Sequence, residues 1–429
     1  MMQMQGLQDT AEQALALMRA QGFEHAQVDA VSTAQDELNI AHNEPSLLRS
    51  TATRRLALLG IVDGRKASTE MSDFAPAQVQ ERIAGLFADA RSAPRDDANA
   101  VSAGQAAHIV QGPQACESAL LAEKVAELLD FRAQQTAKMQ LEEGAGAHSL
   151  VQRCCVTSGG SRLLSSVGCY SLTVMGSARE GSQVSSFNYC GGNTNDLRGQ
   201  HASDIFAIGE MMRASQRQIV AAPIGERFTG SVVLTPNAVN DLVEWLLEQI
   251  ADNHLIGGSS LYLDRVGQRI GSPLLTLKSR FDAPGVAALS ADGFAARPVE
   301  IVRTGTLMAL TPSLYASRKT GIAHVPLAAS GWEMAAGDTP REQLVAAVQR
   351  GALIDRLSMG NPAPNGDFSG VIKNSFVIEA GRVGGALSET MISGNIAQML
   401  QDVVAISRER IDTGGWVLPS LQIQGLHFS

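Results

Sequence analysis

Residues 365–395 read NGDFSGVIKNSFVIEAGRVGGALSETMISGN, short apolar runs cut by glycines and polar turn residues. Runs of that length are too short for the apolar stripe of a helix, and Val, Ile and Phe between turn residues suit strands. The segment therefore commits the end of the chain to sheet. One Asp, one Lys, two Glu and several hydroxyls lie between the runs, but no nucleophile, base or metal cage is evident among them.

Helical and strand patterns place the rest. Leu7, Ala11, Ala14, Leu15 and Met18 recur at helical spacing and should face inward. HAQVDAVS and DELNIA read as strands, and so does the long run ending at Asp63-Gly64, a hairpin turn signal. Val79, Ile83 and Leu86 mark a helix with Pro76 in its first turn. Residues 94–105 read as a loop and 113–142 as a second helix carrying Leu121, Val125, Leu128 and Leu129. Short Ser/Thr/Val strands follow Gly144, then a helix over 203–218. The loop AAPIGER closes this half. Beyond it, a strand leads into a helix opened by Thr235-Pro236 with Leu242, Val243, Leu246 and Ile250 inward. Strands dominate thereafter, with helices over 340–350 and 396–406, the latter capped by Asn395.

Helices and strands do not alternate regularly, so the fold class is α+β. It comprises an N-terminal mixed α/β region and a strand-rich C-terminal domain of mostly antiparallel sheet with a few helices. A chain of 429 residues exceeds what one core holds. The expected division is 1–105, 106–222 and 223–429.

With 43 acids against 34 bases and no cluster of Lys and Arg, direct nucleic-acid binding is not expected. No apolar run is long enough to span a membrane, and the N-terminus lacks the pattern of a signal peptide, so the cytoplasm is the expected compartment. The five cysteines show no C-x-x-C spacing and should be free thiols. Cys154 and Cys155 would point to opposite faces of a strand, one buried and one half-exposed.

None of the eight histidines precedes a Glu, which removes H-E-x-x-H and H-E-x-x-x-H helices; any metal site would need residues distant in sequence. The G-x-S-x-G elbow, the Ser-x-x-Lys dyad and the phosphate-binding loop are absent too. EGAGAHS at 143–149 reads as a loop. His254 suits a helix C-terminus. Tyr315, Ser317, Arg318 and Lys319 form a polar cluster that reads either as the edge of a sheet, where an extended peptide could add as a strand, or as a solvated basic turn. Asp367 and Ser369 are further candidates for peptide or interface contact.

In order and spacing, DGFAARPVEIVRTGTLMALTPSLYASRKTG and GDFSGVIKNSFVIEAGRVGGALSETMISGNIAQMLQDVVAI resemble the C-terminal domain of the TldD/PmbA family. FTGSVVLTPNAVNDLVEWLL resembles the opening of that domain. GIVDGRKASTEMSDFAPAQVQERIAGLFADARSAP resembles the family's first domain. The resemblance implies a cytoplasmic, two-subunit zinc metallopeptidase acting on unfolded or extended peptides, including leader-bearing peptides and an antitoxin. It also carries the family's older label of DNA gyrase modulator. In the catalytic half an H-E-x-x-x-H helix and a downstream Cys hold the metal.

Here the corresponding helix reads NAVNDLVEWLLEQIADNH and no Cys follows Cys190, so the chain resembles the PmbA (TldE) half, which lacks the ligands. The expectation is a heterodimer partner with no catalytic, cofactor or metal residues of its own, zinc being held by a TldD-like metallopeptidase subunit. The other partners expected are an extended peptide and, for the isolated chain, a second copy of itself. Two other readings stay open: a self-sufficient peptide hydrolase homodimer with an unrecognised site, and a peptide-binding or regulatory protein.

Overall fold

The computed structural model describes residues 2–327, 331–388 and 390–429, so Glu389 and the start of the strand expected over 389–393 lie outside the described residues. Two sheets organise the fold, and it is α+β as expected. Helix α1 (Met2–Gln21) leads into β1 (His25–Ala41), β2 (Glu44–Val62) and β3 (Arg65–Met71). Asp63 and Gly64 turn with φ of 49° and 69°, and His42 and Asn43 make a second such turn with φ of 52° and 71°. Left-handed backbone at both positions matches the twist of the flanking strands. Residues 25–41, read as two strands, form one.

Next come α2 (Pro76–Ser92), β4 (Ala106–Gln111), α3 (Ser118–Gln135), β5 (Met139–Thr157) and β6 (Arg162–Glu180). The sheet order is β3-β2-β1-β5-β6-β4, and Asn188–Thr194 adds to β6. Because β1 pairs with β5 from Gln27 to Ala41, strands from both sides of position 105 share one sheet.

The long strands bury two separate cores. Near one end, Val28, Ala30, Leu56 and Leu58 meet α1 and α2 through Leu7, Met18, Ile83 and Leu86. Near the other, Ile40, Leu141, Leu172 and Val174 meet α3 and α4 (Ile208–Arg217) through Leu121, Leu128, Ile208 and Met212. All five inward positions expected in α1 are buried.

Further expectations fail in this half. The helix read over 113–142 stops at Gln135, and EGAGAHS lies inside β5 rather than in a loop. The glycines serve close packing: a Cβ at Gly146 would sit 3.2 Å from the Val125 Cγ2 on α3, and one at Gly144 would sit 2.9 Å from the Thr173 carbonyl. Composition alone makes those glycines look like turn residues.

Cys154 and Cys155 do face opposite ways, but both are buried, at 1% and 0% exposure. Cys154 packs in the α1 core, whereas Cys155 is covered by Leu289 from the second half of the chain. Burial pushes the Cys154 thiol up to about 12 and raises that of Cys155. A thiol reagent applied to the native protein is expected to label Cys116 first, leaving Cys154 and Cys155 unmodified until unfolding, as peptide mass spectrometry would show.

In the second sheet antiparallel pairings dominate, but Phe228–Leu234 runs parallel to Arg350–Ile354 and Trp332–Met334 runs parallel to Trp416–Phe428. Among the described residues the strand Trp416–Phe428 has four partners: Phe228–Leu234, Trp332–Met334, Met391–Asn395 and Val403–Asp412. Helix α5 (Pro236–Gln249) buries Leu242, Val243 and Leu246 against this sheet, with Ile250 just beyond its end also buried. Short α6 (Asp252–Ile256) follows, and His254 in its last turn bonds Ser259 through Nδ1 at 3.0 Å.

The helices expected over 340–350 and 396–406 shrink to Arg341–Ala346 and Ile396–Gln401, with strands following each. Asn395 caps the second, its side chain accepting from the Gln398 N–H. Among the described residues no helix is long and apolar enough to cross a membrane.

Candidate functional site

A cavity of about 350 Å³ lies between the two sheets, with walls from Asn188–Thr194 and α4 on one side and from α5 and the C-terminal strands on the other. Its floor follows from the parallel pair Phe228–Leu234 and Arg350–Ile354, which end side by side, Leu234 opposite Ile354. Thr235 and Asp355 come next in the two chains. The Thr235 hydroxyl donates to Asp355 Oδ1 at 2.7 Å and the Asn237 amide donates at 3.1 Å. Thr235 thus spends its hydroxyl on Asp355 instead of capping α5, and the carboxylate sits by the N-terminal turn that favours it. Burial nonetheless raises the Asp355 pKa, against those two hydrogen bonds.

The polar face of α5 enters the cavity with Asn237, Asn240, Asp241 and Glu244, spaced i, i+3, i+4, i+7. Burial pushes Asp241 up to about 6, and Glu244 adds to the shift, while a hydrogen bond from the Leu357 N–H opposes it. Arg356 is held over the Tyr189 ring at 3.5 Å and donates to the Tyr189 carbonyl at 2.6 Å. Arg341 pairs with Glu210 of α4 at 2.7 Å. Both arginines therefore tie the C-terminal half to the N-terminal half.

Three of the eight non-glycine residues with positive φ among the described residues line this cavity. Phe206 and Ala207, consecutive and neither glycine, have φ of 56° and 60°, and Asn374 has φ of 52°. Such conformations cost on the order of 1–3 kcal/mol each and persist where surroundings hold them. The Cys190 thiol donates to the Phe206 carbonyl at 3.0 Å and so helps hold the first of them. Asn374 is 4% exposed, and both its amide atoms are buried without a partner among the described residues. The glycine-punctuated segment 365–395 thus supplies one wall of the cavity through Asn374 and Phe376.

The residues singled out from sequence lie elsewhere. Tyr315, Ser317, Arg318 and Lys319 are not on a sheet edge; they form α7 (Leu314–Thr320), capped by the Ser313 side chain and ended by Gly321 at φ 76°. Ser313 with Gly321 after seven intervening residues marks a short capped helix, a pattern that the flanking strands obscured. Three of the cluster's four side chains are engaged within the chain. Tyr315 donates to Asp96 at 2.7 Å, Lys319 lies 2.8 Å from it, and Arg318 donates to the Asp97 and Ala98 carbonyls. α7 is a clamp on the loop 95–98.

Lys319 and its neighbours hold the Asp96 carboxyl down to about 2. A carboxyl so depressed stabilises the native state above its unfolded pKa near 4, and that contribution is lost as pH falls from about 4 to 2. Asp96→Asn is expected to abolish this acid-range loss, as thermal midpoints between pH 2 and 5 would reveal. Asp367 and Ser369 lie on the strand Asp367–Lys373, with Asp367 accepting from Asn365 and Asn395, and neither lines the cavity.

The sequence reading missed Asn237, Asn240, Asp241, Asp355 and Asn374. The four-residue polar stripe on α5 was a usable signal. Asp355 and Asn374 come from strand ends whose meeting no local pattern encodes.

The cavity's donor set does not fit zinc. Zinc sites combine imidazole nitrogen, thiolate sulfur and carboxylate oxygen, whereas among the described residues this wall has carboxylates but no imidazole, and its one thiol, Cys190, is raised to about 12 by burial. Among the described residues, the side chains that do approach metal-ligand geometry are Asp36 and His148 of the N-terminal sheet with Cys116 from the connection between β4 and α3, within 4.8 Å of one another. There Asp36 and His148 are cross-strand partners and the His148 Nε2 bonds the Pro113 carbonyl at 2.9 Å.

A family model for the PmbA/TldA metallopeptidase C-terminal domain matches residues 228–429. The chain is 25% identical over 205 residues to the metalloprotease PmbA of Escherichia coli O157:H7, a match spanning 45% of each protein and so less than half the relative's length. Two solved structures share the fold over 98% of this chain. A candidate modulator of DNA gyrase from Bacteroides thetaiotaomicron is covered over 98%, with TM-score 0.86 and 19% identity. TldE from Thermococcus kodakarensis is covered over 100%, with TM-score 0.82 and 18% identity.

Proposed function

From the premise that this chain belongs to the TldD/PmbA family, with the family's C-terminal domain over residues 228–429, we propose that it is the non-catalytic partner subunit of a TldD-like zinc metallopeptidase. The observation that carries the reading is the face of α5. Where the family resemblance places the H-E-x-x-x-H helix, this helix turns Asn237, Asn240, Asp241 and Glu244 into the interdomain cavity. Zinc hydrolysis needs ligands that hold the ion and a base that takes the proton of the bound water, and two amides and two carboxylates without a histidine are not the ligand set of that helix. The chain keeps the fold and the cavity while lacking the chemistry. Its role is then to shape and stabilise the peptide channel of a two-subunit assembly in the cytoplasm, the zinc residing in the partner.

The test is peptide hydrolysis by the purified chain alone, by a TldD-like protein alone, and by the two together. Activity should appear with the mixture and stay absent from this chain alone at any zinc concentration. Zinc-dependent hydrolysis by the isolated chain would overturn the reading.

A further inference from the structure

The charges around the cavity do not balance, and the imbalance is local. Glu210 is paired with Arg341. Asp355 is met by Thr235 and Asn237, with Arg356 at 4.0 Å. Asp241 and Glu244 remain, one turn apart on α5, and neither has an ion-pair partner among the described residues. Glu244 accepts only from Asn240 of its own helix, and Asp241 from the Leu357 N–H. Asn374, nine-tenths buried on the same cavity, offers an amide N–H₂ and a carbonyl with nothing bound to either. Buried polar groups are ordinarily satisfied, and an amide left open on both sides is complementary to a group that donates and accepts together.

We propose that this cavity binds a lysine residue of a polypeptide, its ammonium between Asp241 and Glu244 and a backbone amide against Asn374. Arg356 acts on Asp241 only from beyond ion-pair distance, so a carboxylate pair without an ion-pair partner among the described residues fits an ammonium, and hydrogen bonds to charged groups are the stronger class. A secondary amide presents the donor and the acceptor that Asn374 lacks. Tyr189 and Trp416, both on the cavity wall, give the aliphatic stem apolar surface. The volume of about 350 Å³ falls within the range of about 300–1,000 Å³ filled by small ligands. The inference goes beyond the partner-subunit reading: it concerns binding by this chain alone, and it stands or falls separately from hydrolysis by the mixture.

The experiment is calorimetric titration of the full chain at pH 7.5 with three probes. Nα-acetyl-lysine N-methylamide carries both groups, 1,4-diaminobutane only ammonium, and Nα-acetyl-norleucine N-methylamide only the amides. The lysine probe should bind with 1:1 saturation and most tightly. Asp241→Asn and Glu244→Gln should each weaken it by about tenfold or more. Asn374→Gly, which keeps the left-handed backbone, should bring it down to the affinity of the diamine. Glu244 is exposed, so its variant tests the site without disturbing packing. No saturable binding of the lysine probe, equal binding of the norleucine probe, or carboxylate variants that bind as tightly as the native chain would each overturn the proposal. A diamine that binds as well as the lysine probe would assign the cavity to free amines and overturn the polypeptide ligand.

Discussion

Replacing Arg153 by methionine is expected to cost about 3–5 kcal/mol of stability and to open Cys155 to thiol reagents. Arg153 stands on β5 with its Nε 2.6 Å from Asp29 of β1, and its Nη1 donates to the carbonyls of Leu289 and Ser290 at 3.1 Å. Gln27 completes the arrangement by donating to Asp29 and to the Ala291 carbonyl. The Arg153 and Asp29 side chains are 17% and 12% exposed. Methionine fills the volume but leaves the Asp29 carboxylate without its cation and two carbonyls without their donor. Breaking one side of a buried pair costs more than the pair is worth, because the remaining charge stays desolvated. The segment 289–291 covers Cys155 through Leu289, so its loosening has a chemical readout. Denaturant midpoints measure the first effect and mass-resolved alkylation the second. Adding Asp29→Asn to the variant should recover part of the loss. An unchanged midpoint with Cys155 still silent would mean that apolar packing alone holds the segment.

The second large effect has the opposite sign. Asp241→Asn is expected to stabilise the protein at pH 7.5 by about 2–3 kcal/mol, since a carboxyl raised from 3.8 to about 6 carries about two pKa units of unfavourable ionisation. The native state binds the Asp241 proton more tightly than the unfolded chain does. Native stability therefore falls as pH rises from about 4 to 6 and is level above that, with respect to this group. The variant removes that fall, so the gain should vanish below about pH 4 and be complete above pH 6. The groups facing Asp241 are Glu244 on its own helix and Asp355 and Arg356 across the cavity, and the asparagine Oδ1 can still accept from Leu357. Thermal midpoints of both proteins from pH 4 to 8 give the answer. A constant difference across that range would show that Asp241 titrates normally. A site kept at a cost in stability is what binding function leaves behind.

Local patterns carried much of the fold and little of the site. The inward faces of α1, α2 and α5 were legible because helical spacing records which side meets a core, as at Met18, Ile83 and Leu246. The Asp63-Gly64 hairpin was legible because only a few residues tolerate its backbone. β5 was misread where Gly144 and Gly146 admit neighbouring chain, since a glycine placed for close approach looks like a glycine placed for a turn. α7 was misread for a related reason: its Ser313 and Gly321 caps were visible, but seven residues between two caps carry too little periodicity to displace a strand. The cavity was hidden because its key groups, Asp241, Asp355 and Asn374, come from three elements brought together by strand order. The partner of each is set by register, and register is a property of the whole sheet.

The strand Trp416–Phe428, with four paired neighbours, sets an order of events as well as an architecture. Phe228–Leu234 is made nearly two hundred residues before the strand it lies against, Phe228 pairing with Phe428. Contacts so remote in sequence form slowly, because a long loop must close before they reward the chain. On the ribosome the N-terminal sheet has all of its strands once residue 194 has emerged, while the second sheet still lacks its centre. Until residues 416–428 are released, that half of the chain displays unpaired strand edges, so a holding chaperone should engage nascent chains halted between residues 240 and 415 far more than finished ones.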